Sequence, residues 1–152
     1  MTAPAEKLTW VYVDCVCDLF HAGHVAFFEK ARALGDRLVV GLHSDEVVAT
    51  YKPAPILTFA ERLVMVANCR LVDRVVPEPV PLHCTPEHLD AVGADFACHG
   101  DDMDNSQLAH WYGALLETGR FRTVSYTSGI SSREIIARVV QRYREGSLRE
   151  QP

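Results

Sequence analysis

Residues 8–44 read LTWVYVDCVCDLFHAGHVAFFEKARALGDRLVVGLHS, and this stretch decides the fold class. It begins with a β-rich run over residues 8–15 and ends with another over 37–44. Between them, residues 23–35 place apolar side chains at helical spacing, and Gly35 suits a C-terminal cap; the apolar stripe is Val25, Phe28, Ala31 and Leu34. Strand, helix and strand in this order predict a βαβ unit with parallel strands.

The same alternation continues along the chain. We predict helices over 45–51 (capped by Ser44 or Asp45), 58–69, 85–93, 105–119 and 131–146, and strands over 73–78, 94–100 and 120–126. Thr58 and Glu61 form a capping box, and Thr85 is a cap with Pro86 at the first helical position. Five strands separated by helices predict an α/β fold with a Rossmann-like, doubly wound, five-stranded parallel sheet. We expect a single domain over 1–152, with its core within about 8–145.

Composition excludes several classes of protein. The chain has 152 residues, 48% of them apolar, so it can bury an ordinary globular core. A net charge of −5 offers no general attraction to nucleic acid or to anionic membranes. We find no apolar run long enough to cross a membrane, no signal-peptide pattern and no CxxC pair, and therefore expect a cytoplasmic protein.

In a doubly wound sheet, ligands bind beyond the carboxyl ends of the strands. Segments 14–24, 43–58, 77–85, 99–105 and 125–132 should meet there. In the first segment, His21 and His24 flank Gly23 at a helix start, where free N–H groups favour an anion. The spacing favours a phosphate site, leaves a cap or packing role open, and fits a metal site less well because no third ligand is local. We expect His83, Cys84 and His88 to be surface residues, and Trp111, Tyr112 and the Val/Ile stripe of the last helix to be core.

Four motifs together carry a resemblance to a known family. DLFHAGH at 18–24 resembles the HxGH signature of the nucleotidyltransferase superfamily. KPAPILTFAER at 52–62, HGDDM at 99–103 and YTSGISSREI at 126–135 resemble cytidylyltransferases, notably those for ethanolamine phosphate, choline phosphate and glycerol 3-phosphate. The match covers about residues 8 to 140 in the order of the family.

The resemblance implies an activity and a set of site residues. A phosphate or phosphonate monoester would attack the α-phosphate of CTP in line, with Mg²⁺ accompanying CTP, and a homodimer is implied as well. Catalytic roles fall on His21, His24, Lys52 and Arg62, although Arg62 alternatively pairs with a carboxylate. The residues implied in nucleotide binding are Val16, Cys17, Asp18, Gly23, His99, Asp101, Thr127, Gly129, Ile130, Ser131 and Ser132; those implied in acceptor binding are Lys52, Leu82, Asp102 and Tyr126. Asp18 either orients a neighbour or helps to hold Mg²⁺, and either Ser131 or Ser132 also suits an N-cap.

Four positions depart from the family pattern. Cys15 replaces a glycine, Cys17 and Leu82 replace aromatic residues, and Tyr126 replaces an arginine. Since Leu82 offers no cation–π surface, we expect choline phosphate to be a poor acceptor. The acceptor is then of the ethanolamine phosphate, glycerol 3-phosphate or hydroxyethylphosphonate type, and CTP is preferred over ATP. The competing hypotheses are an adenylyltransferase of a sugar phosphate and a non-catalytic nucleotide-binding domain, which the missing arginine would suit.

Overall fold

The fold alternates strands and helices from end to end in the computed structural model, which describes residues 7–148. The elements are β1 (Trp10–Cys15), α1 (Ala22–Arg32), β2 (Arg37–Leu42), α2 (Asp45–Ala49), α3 (Phe59–Ala67), β3 (Arg74–Val75), α4 (Pro86–Ala91), β4 (Phe96–Gly100), α5 (Asn105–Glu117), β5 (Phe121–Val124) and α6 (Ser132–Arg144). No helix in this part of the chain combines the length and the apolarity needed to cross a membrane.

All five strands are parallel, in the order β3-β2-β1-β4-β5. The predicted Rossmann-like sheet is therefore confirmed. The chain first adds strands on one side of β1, then crosses to the other side with β4, so the order reverses beside β1. This reversal opens a crevice at the carboxyl ends of β1 and β4.

Alternation along β1 divides the core into two layers. Val11 and Val13 pack on one face of the sheet, with Phe28 and Ala31 of α1. Tyr12 packs on the other face, with residues of α4 and α5. Successive side chains of a strand point to opposite faces, so Asp14 belongs to the α4 and α5 side and Cys15 to the α1 side.

Most predicted helix starts are confirmed by cap geometry. Ser44 accepts from the Val47 N–H at the start of α2, and Thr58 and Glu61 form the reciprocal box at the start of α3. Thr85 caps α4 with Pro86 in the first turn. Each cap satisfies a backbone donor that the helix itself leaves free.

Three expectations about local structure are wrong. Leu34 is 39% exposed because α1 ends at Arg32, and Gly35 is not its cap. The glycine is needed because a Cβ there would lie 2.8 Å from Cγ2 of Val11. The third strand has only two residues: after Val76 the chain enters a proline-rich run and leaves regular strand backbone, although the Val80 N–H still donates to the Leu42 carbonyl (2.9 Å).

The last helix also differs from its prediction. None of the residues of α6 is buried, and Val139 and Tyr143 are more than half exposed. The helix follows the edge strand β5, and its contribution to the cavity comes from its N-terminal part, Ser132, Arg133 and Ile136. Of the two aromatics expected in the core, Tyr112 is buried, whereas Trp111 is half-buried on the wall of a cavity.

Candidate active site

A cavity of about 890 Å³ lies at the carboxyl ends of the strands, beside the reversal of the sheet. Its walls include residues from all five predicted segments, from Asp14 near the end of β1 to Ser132 at the start of α6. The members of the proposed site that line it are Val16, Cys17, Asp18, His21, Gly23, His24, Lys52, Leu82, His99, Asp102, Tyr126, Thr127, Ile130, Ser131 and Ser132. Arg62, Asp101 and Gly129 are not on its wall. A smaller depression of about 450 Å³ lies at the opposite edge, near Trp10 and Arg120.

The two histidines cap α1 and at the same time face the cavity. The Gly23 N–H donates to Nδ1 of His21 (3.0 Å), and the His21 N–H donates to Nδ1 of His24 (3.1 Å). A neutral imidazole nitrogen that accepts a hydrogen bond carries no proton, so both neutral rings hold their proton on Nε2. The cap role and the phosphate role are therefore compatible, because the cap fixes the tautomer that leaves Nε2–H free to donate.

Burial keeps these rings neutral. It lowers the pKa of His24 to about 4, and the neighbouring His21 and Lys52 act in the same direction. It lowers the pKa of His21 as well, although Glu134 opposes the shift. Phe20 stacks on His24 with an angle of 7° between the ring planes, which holds the ring in place. At neutral pH the pair supplies hydrogen-bond donors and no formal charge.

The start of α6 meets the start of α1 in the same wall. A Cβ on Gly23 would lie 3.2 Å from the Ile130 carbonyl oxygen and 2.8 Å from the His21 ring, so only glycine permits this approach. Ser131 is the N-cap of α6, where it accepts from the Glu134 N–H. Two helix starts facing one cavity present free N–H groups and partial positive charge to an anion.

The loop before α6 is held by a lysine that sequence reasoning missed. Nζ of Lys30 donates to the Ser125 carbonyl (2.8 Å) and to Oγ1 of Thr127 (2.9 Å). Gly129 has a φ of +98°, a conformation that side chains disfavour, so its role is in the turn that presents Ile130. Arg133, in the first turn of α6, lines the cavity and was also missed. The only sequence feature that could have indicated Arg133 is its place directly after Ser131 and Ser132 at a helix start.

Asp18 anchors the segment that carries Lys52. Its Oδ2 accepts from the Ile56 N–H (2.8 Å) and its Oδ1 from the Leu57 N–H (2.9 Å), while its own carbonyl accepts from Oγ of Ser132 (2.7 Å). Of the two roles left open, orienting a neighbour is the one observed. Desolvation on the cavity wall lowers the pKa of Lys52, against the opposing charges of Cys15 and Asp18.

Arg62 is a correction to the predicted catalytic set. It is fully buried, and Nη1 donates to the Val16 carbonyl (2.6 Å) while Nη2 donates to the His43 carbonyl (2.9 Å) and to Oδ1 of Asp45 (2.6 Å). The guanidinium is enclosed by these acceptors and does not reach the cavity. The alternative raised from the sequence, pairing with a carboxylate, is what the structure shows, and Arg62 is a positioning residue.

Asp14 is the residue that sequence reasoning missed most clearly. It lies in the cavity wall and is only 3% exposed. The Tyr112 hydroxyl donates to its Oδ1, whereas Oδ2 has no hydrogen-bond partner within residues 7–148. A buried carboxylate oxygen without a partner carries a large desolvation cost, which a bound cation or donor would relieve. The sequence signal was weak: an aspartate closing an apolar strand.

Aromatic side chains surround this carboxylate and overturn the argument from Leu82. Tyr112 lies against it, and Tyr51 and Trp111, whose ring centroids are 5.5 Å apart, line the same cavity. The expectation that choline phosphate lacks an aromatic or anionic surround therefore rests on a wrong premise. The aromatic residues that could have been found in the sequence are Trp111 and Tyr112 in α5, not a residue of the proline-rich loop that carries Leu82.

The residues after β4 divide between loop and cavity. Oδ1 of Asp101 accepts from the Tyr126 N–H (2.7 Å), which ties two loops together away from the wall. Asp102 and His99 line the cavity. The neighbouring carboxylates thus point in different directions, although the two residues lie in a turn and not in the extended segment that was expected. Tyr126 is half exposed at the rim and supplies no positive charge there.

The two cysteines of the first loop fit without a glycine at position 15. Cys15 ends β1 in extended backbone, whereas Cys17 has a φ of +55° and Leu19 a φ of +48°. These left-handed residues on either side of Asp18 make the sharp turn. The two Sγ atoms are 2.9 Å apart, and burial together with this contact raises the pKa of Cys15.

The cavity contains no preformed protein site for Mg²⁺. No group of three His, Cys, Asp or Glu residues that could hold a metal ion occurs in the described part of the chain. The carboxylate of Asp18 already accepts two backbone hydrogen bonds from the 56–57 segment. Mg²⁺ commonly binds through substrate phosphates and water with few protein ligands, so an ion here would depend on a bound triphosphate.

Comparison with known proteins agrees with this geometry. The family model described as cytidylyltransferase-like matches residues 13–138. The chain is similar to an ethanolamine-phosphate cytidylyltransferase of Dictyostelium discoideum, with 37% identity over 91% of this chain and 39% of the relative. It is also similar to that of Mus musculus (35% identity, 89% and 33%) and to choline-phosphate cytidylyltransferase A of Rattus norvegicus (37% identity, 92% and 39%).

These relatives are longer proteins, and the chain spans only about a third to two-fifths of their length. A solved structure supports the fold separately. The lipopolysaccharide core biosynthesis protein from Thermoplasma volcanium GSS1 aligns over 80% of this chain and 100% of its own, with a TM-score of 0.66 and 22% identity. At that level of identity the match concerns the fold alone.

Proposed function

The chain belongs to the cytidylyltransferase-like family, and from that premise we propose that it transfers CMP from CTP to a small phosphorylated amino alcohol of the ethanolamine phosphate type. A phosphate oxygen of the acceptor forms a bond to the α-phosphorus of CTP. The bond from that phosphorus to the bridging oxygen breaks, and pyrophosphate leaves. No covalent bond to the protein is required, so the protein acts by positioning the reactants and by stabilising charge.

The phosphate half of the proposal depends on donors that converge from three segments. Nε2–H of His21 and of His24 supply oriented neutral donors, and the starts of α1 and α6 supply backbone N–H groups. Lys52 and Arg133 line the same cavity and supply positive charge. Preorganised donors of this kind stabilise charge that develops in a transition state.

The acceptor half depends on a single observation, the free Oδ2 of buried Asp14. A primary ammonium has three N–H donors and a full positive charge, so it satisfies this oxygen. Glycerol 3-phosphate and a hydroxyalkyl phosphonate offer only hydroxyl groups at that end, which make weaker neutral hydrogen bonds. The aromatic rings of Tyr51, Trp111 and Tyr112 add surfaces that attract a cation.

An acceptor panel tests the proposal. We expect pyrophosphate release from CTP with ethanolamine phosphate to exceed that with glycerol 3-phosphate and with hydroxyethylphosphonate. Asp14→Asn keeps the shape and removes the charge; it should lower kcat/KM for ethanolamine phosphate about 10- to 100-fold, the value of a charged hydrogen bond. Equal kcat/KM for charged and uncharged acceptors would refute the role of Asp14. Release of no pyrophosphate with any acceptor would favour a non-catalytic nucleotide-binding domain, and a preference for ATP would favour an adenylyltransferase.

The remaining parts of the proposal concern the setting of the reaction. Mg²⁺ would enter with CTP, bound mainly by phosphate oxygens and water. Removal of the ion with EDTA tests this, and pyrophosphate release should then stop. We assign the reaction to the cytoplasm, where the five free thiols would stay reduced. A homodimer is also part of the proposal, supported by exposed apolar side chains such as Val64 on α3, and light scattering tests it.

A further inference from the structure

Two exposed histidines meet at the rim of the cavity, outside the site described above. His83 lies in the loop before α4 and His110 lies on α5, and their Nε2 atoms are 3.3 Å apart. The rings are nearly perpendicular, at 81°, with 4.7 Å between their centroids. Within residues 7–148, neither ring makes another hydrogen bond.

This separation suits two nitrogens bound to one metal ion. Zn²⁺ binds histidine nitrogen at about 2.0–2.1 Å, and a tetrahedral angle then separates the two nitrogens by roughly 3.3–3.4 Å. The segments that carry the rings are also joined by their backbones, since the Cys84 N–H donates to the Trp111 carbonyl (2.9 Å). The fold therefore sets the separation of the two backbone segments that carry the rings.

We propose that His83 and His110 form a two-histidine site for a transition-metal ion that favours imidazole, such as Zn²⁺, Ni²⁺ or Cu²⁺. Water completes the coordination, because no third His, Cys, Asp or Glu joins the pair among the described residues. The neighbours in sequence, Leu82 and Trp111, both line the cavity. A bound ion links the two segments that carry them. The site is independent of the proposed transferase activity.

Titration of the full, untagged, EDTA-treated chain with Ni²⁺ tests the site; nickel limits competition from the five thiols. We expect one tight equivalent by calorimetry and a rise in Tm of about 5 °C or more at saturation. His83→Asn and His110→Asn should each weaken this binding at least tenfold. Both side chains are exposed, so the substitutions should leave the fold intact. The electron paramagnetic resonance spectrum of Cu²⁺ bound to the unaltered chain is a second measurement, and it should show hyperfine coupling to two imidazole nitrogens.

The control addresses the other close histidine pair, His21 and His24, whose ring centroids are 3.9 Å apart. His24→Asn should leave the nickel equivalent in place. The proposal is wrong if His24→Asn removes that equivalent while His83→Asn retains it, if neither rim variant changes the affinity, or if the Cu²⁺ spectrum shows fewer than two nitrogens.

Discussion

His24 performs two tasks with two different nitrogens, so two substitutions should separate them. Its Nδ1 accepts the His21 N–H and caps α1, whereas its Nε2 is free to donate into the cavity. In His24→Asn the amide oxygen can replace Nδ1, but nothing replaces Nε2. In His24→Gln the amide oxygen can likewise accept the His21 N–H, as Gln107 does for the Asp104 N–H at the start of α5, and the amide then does not replace the Nε2 donor.

The two losses differ in size and in the property that they change. Loss of a cap costs about 1 kcal/mol of folding free energy, which for a chain of this length lowers Tm by about 2–4 °C. Loss of one oriented donor to transition-state charge costs about 3–4 kcal/mol, or a factor of about 10²–10³ in turnover. We therefore expect His24→Asn and His24→Gln to keep their Tm and lose turnover, whereas a variant without any acceptor at position 24 should lose both.

Thermal unfolding and pyrophosphate release at saturating CTP measure the two effects on the same preparations. His24→Ala should show both losses and provides the reference. The reasoning is refuted if His24→Asn retains wild-type turnover, because a cap alone would then account for the residue. It is refuted in its other half if His24→Ala unfolds at the wild-type temperature.

Further tests address other parts of the molecule. Arg62→Met should lower the free energy of unfolding by about 3 kcal/mol in urea titrations, since it leaves three carbonyls and a carboxylate without their donor; an unchanged midpoint would contradict the positioning role. Arg133→Ala should raise KM for CTP about 5- to 10-fold, whereas Arg138→Ala, on the same helix but off the cavity wall, should not; equal effects would remove Arg133 from the site. Burial lowers the pKa of His24 from 6.5 to about 4, so the stability due to the neutral ring is complete above pH 6.5 and is lost as the pH falls towards 4, by up to about 3 kcal/mol. His24→Asn should flatten that part of the curve, and a parallel curve would contradict the assignment. Tyr126→Arg should change the relative use of acceptors while activity persists, and identical acceptor ratios would show that its side chain only fills space.

The sequence predicted the sheet because its evidence is local. Alternating strand and helix patterns, together with caps such as Thr58 and Thr85, are written in neighbouring residues and need no tertiary contact. The wrong predictions concern burial, which depends on contacts between elements that are distant in the sequence. The apolar stripe of α6 has helical period, but periodicity does not say whether another layer covers it, and here none of its residues is buried.

Sequence motifs predicted several residues of the cavity wall correctly, whereas wall residues outside the motifs were missed. His21, His24 and Lys52 lie on the wall as the motifs predicted. Asp14 and Tyr112 were missed because they are 98 positions apart and meet only through packing of α5 on the sheet. Arg62 was predicted in the site because its motif also contains Lys52. Its long side chain instead reaches the buried carbonyls of Val16 and His43 behind the cavity wall.

The side chains of β1 alternate, and this has a consequence for how such proteins can diversify. Asp14 faces the layer of α4 and α5, whereas the next residues turn towards the layer of α1. Mutations around Asp14 therefore fall in a different layer of the protein from mutations around His21 and His24. Under the proposed function, residues on α5 and in the loop before it can change with the acceptor while the residues around the two histidines stay the same.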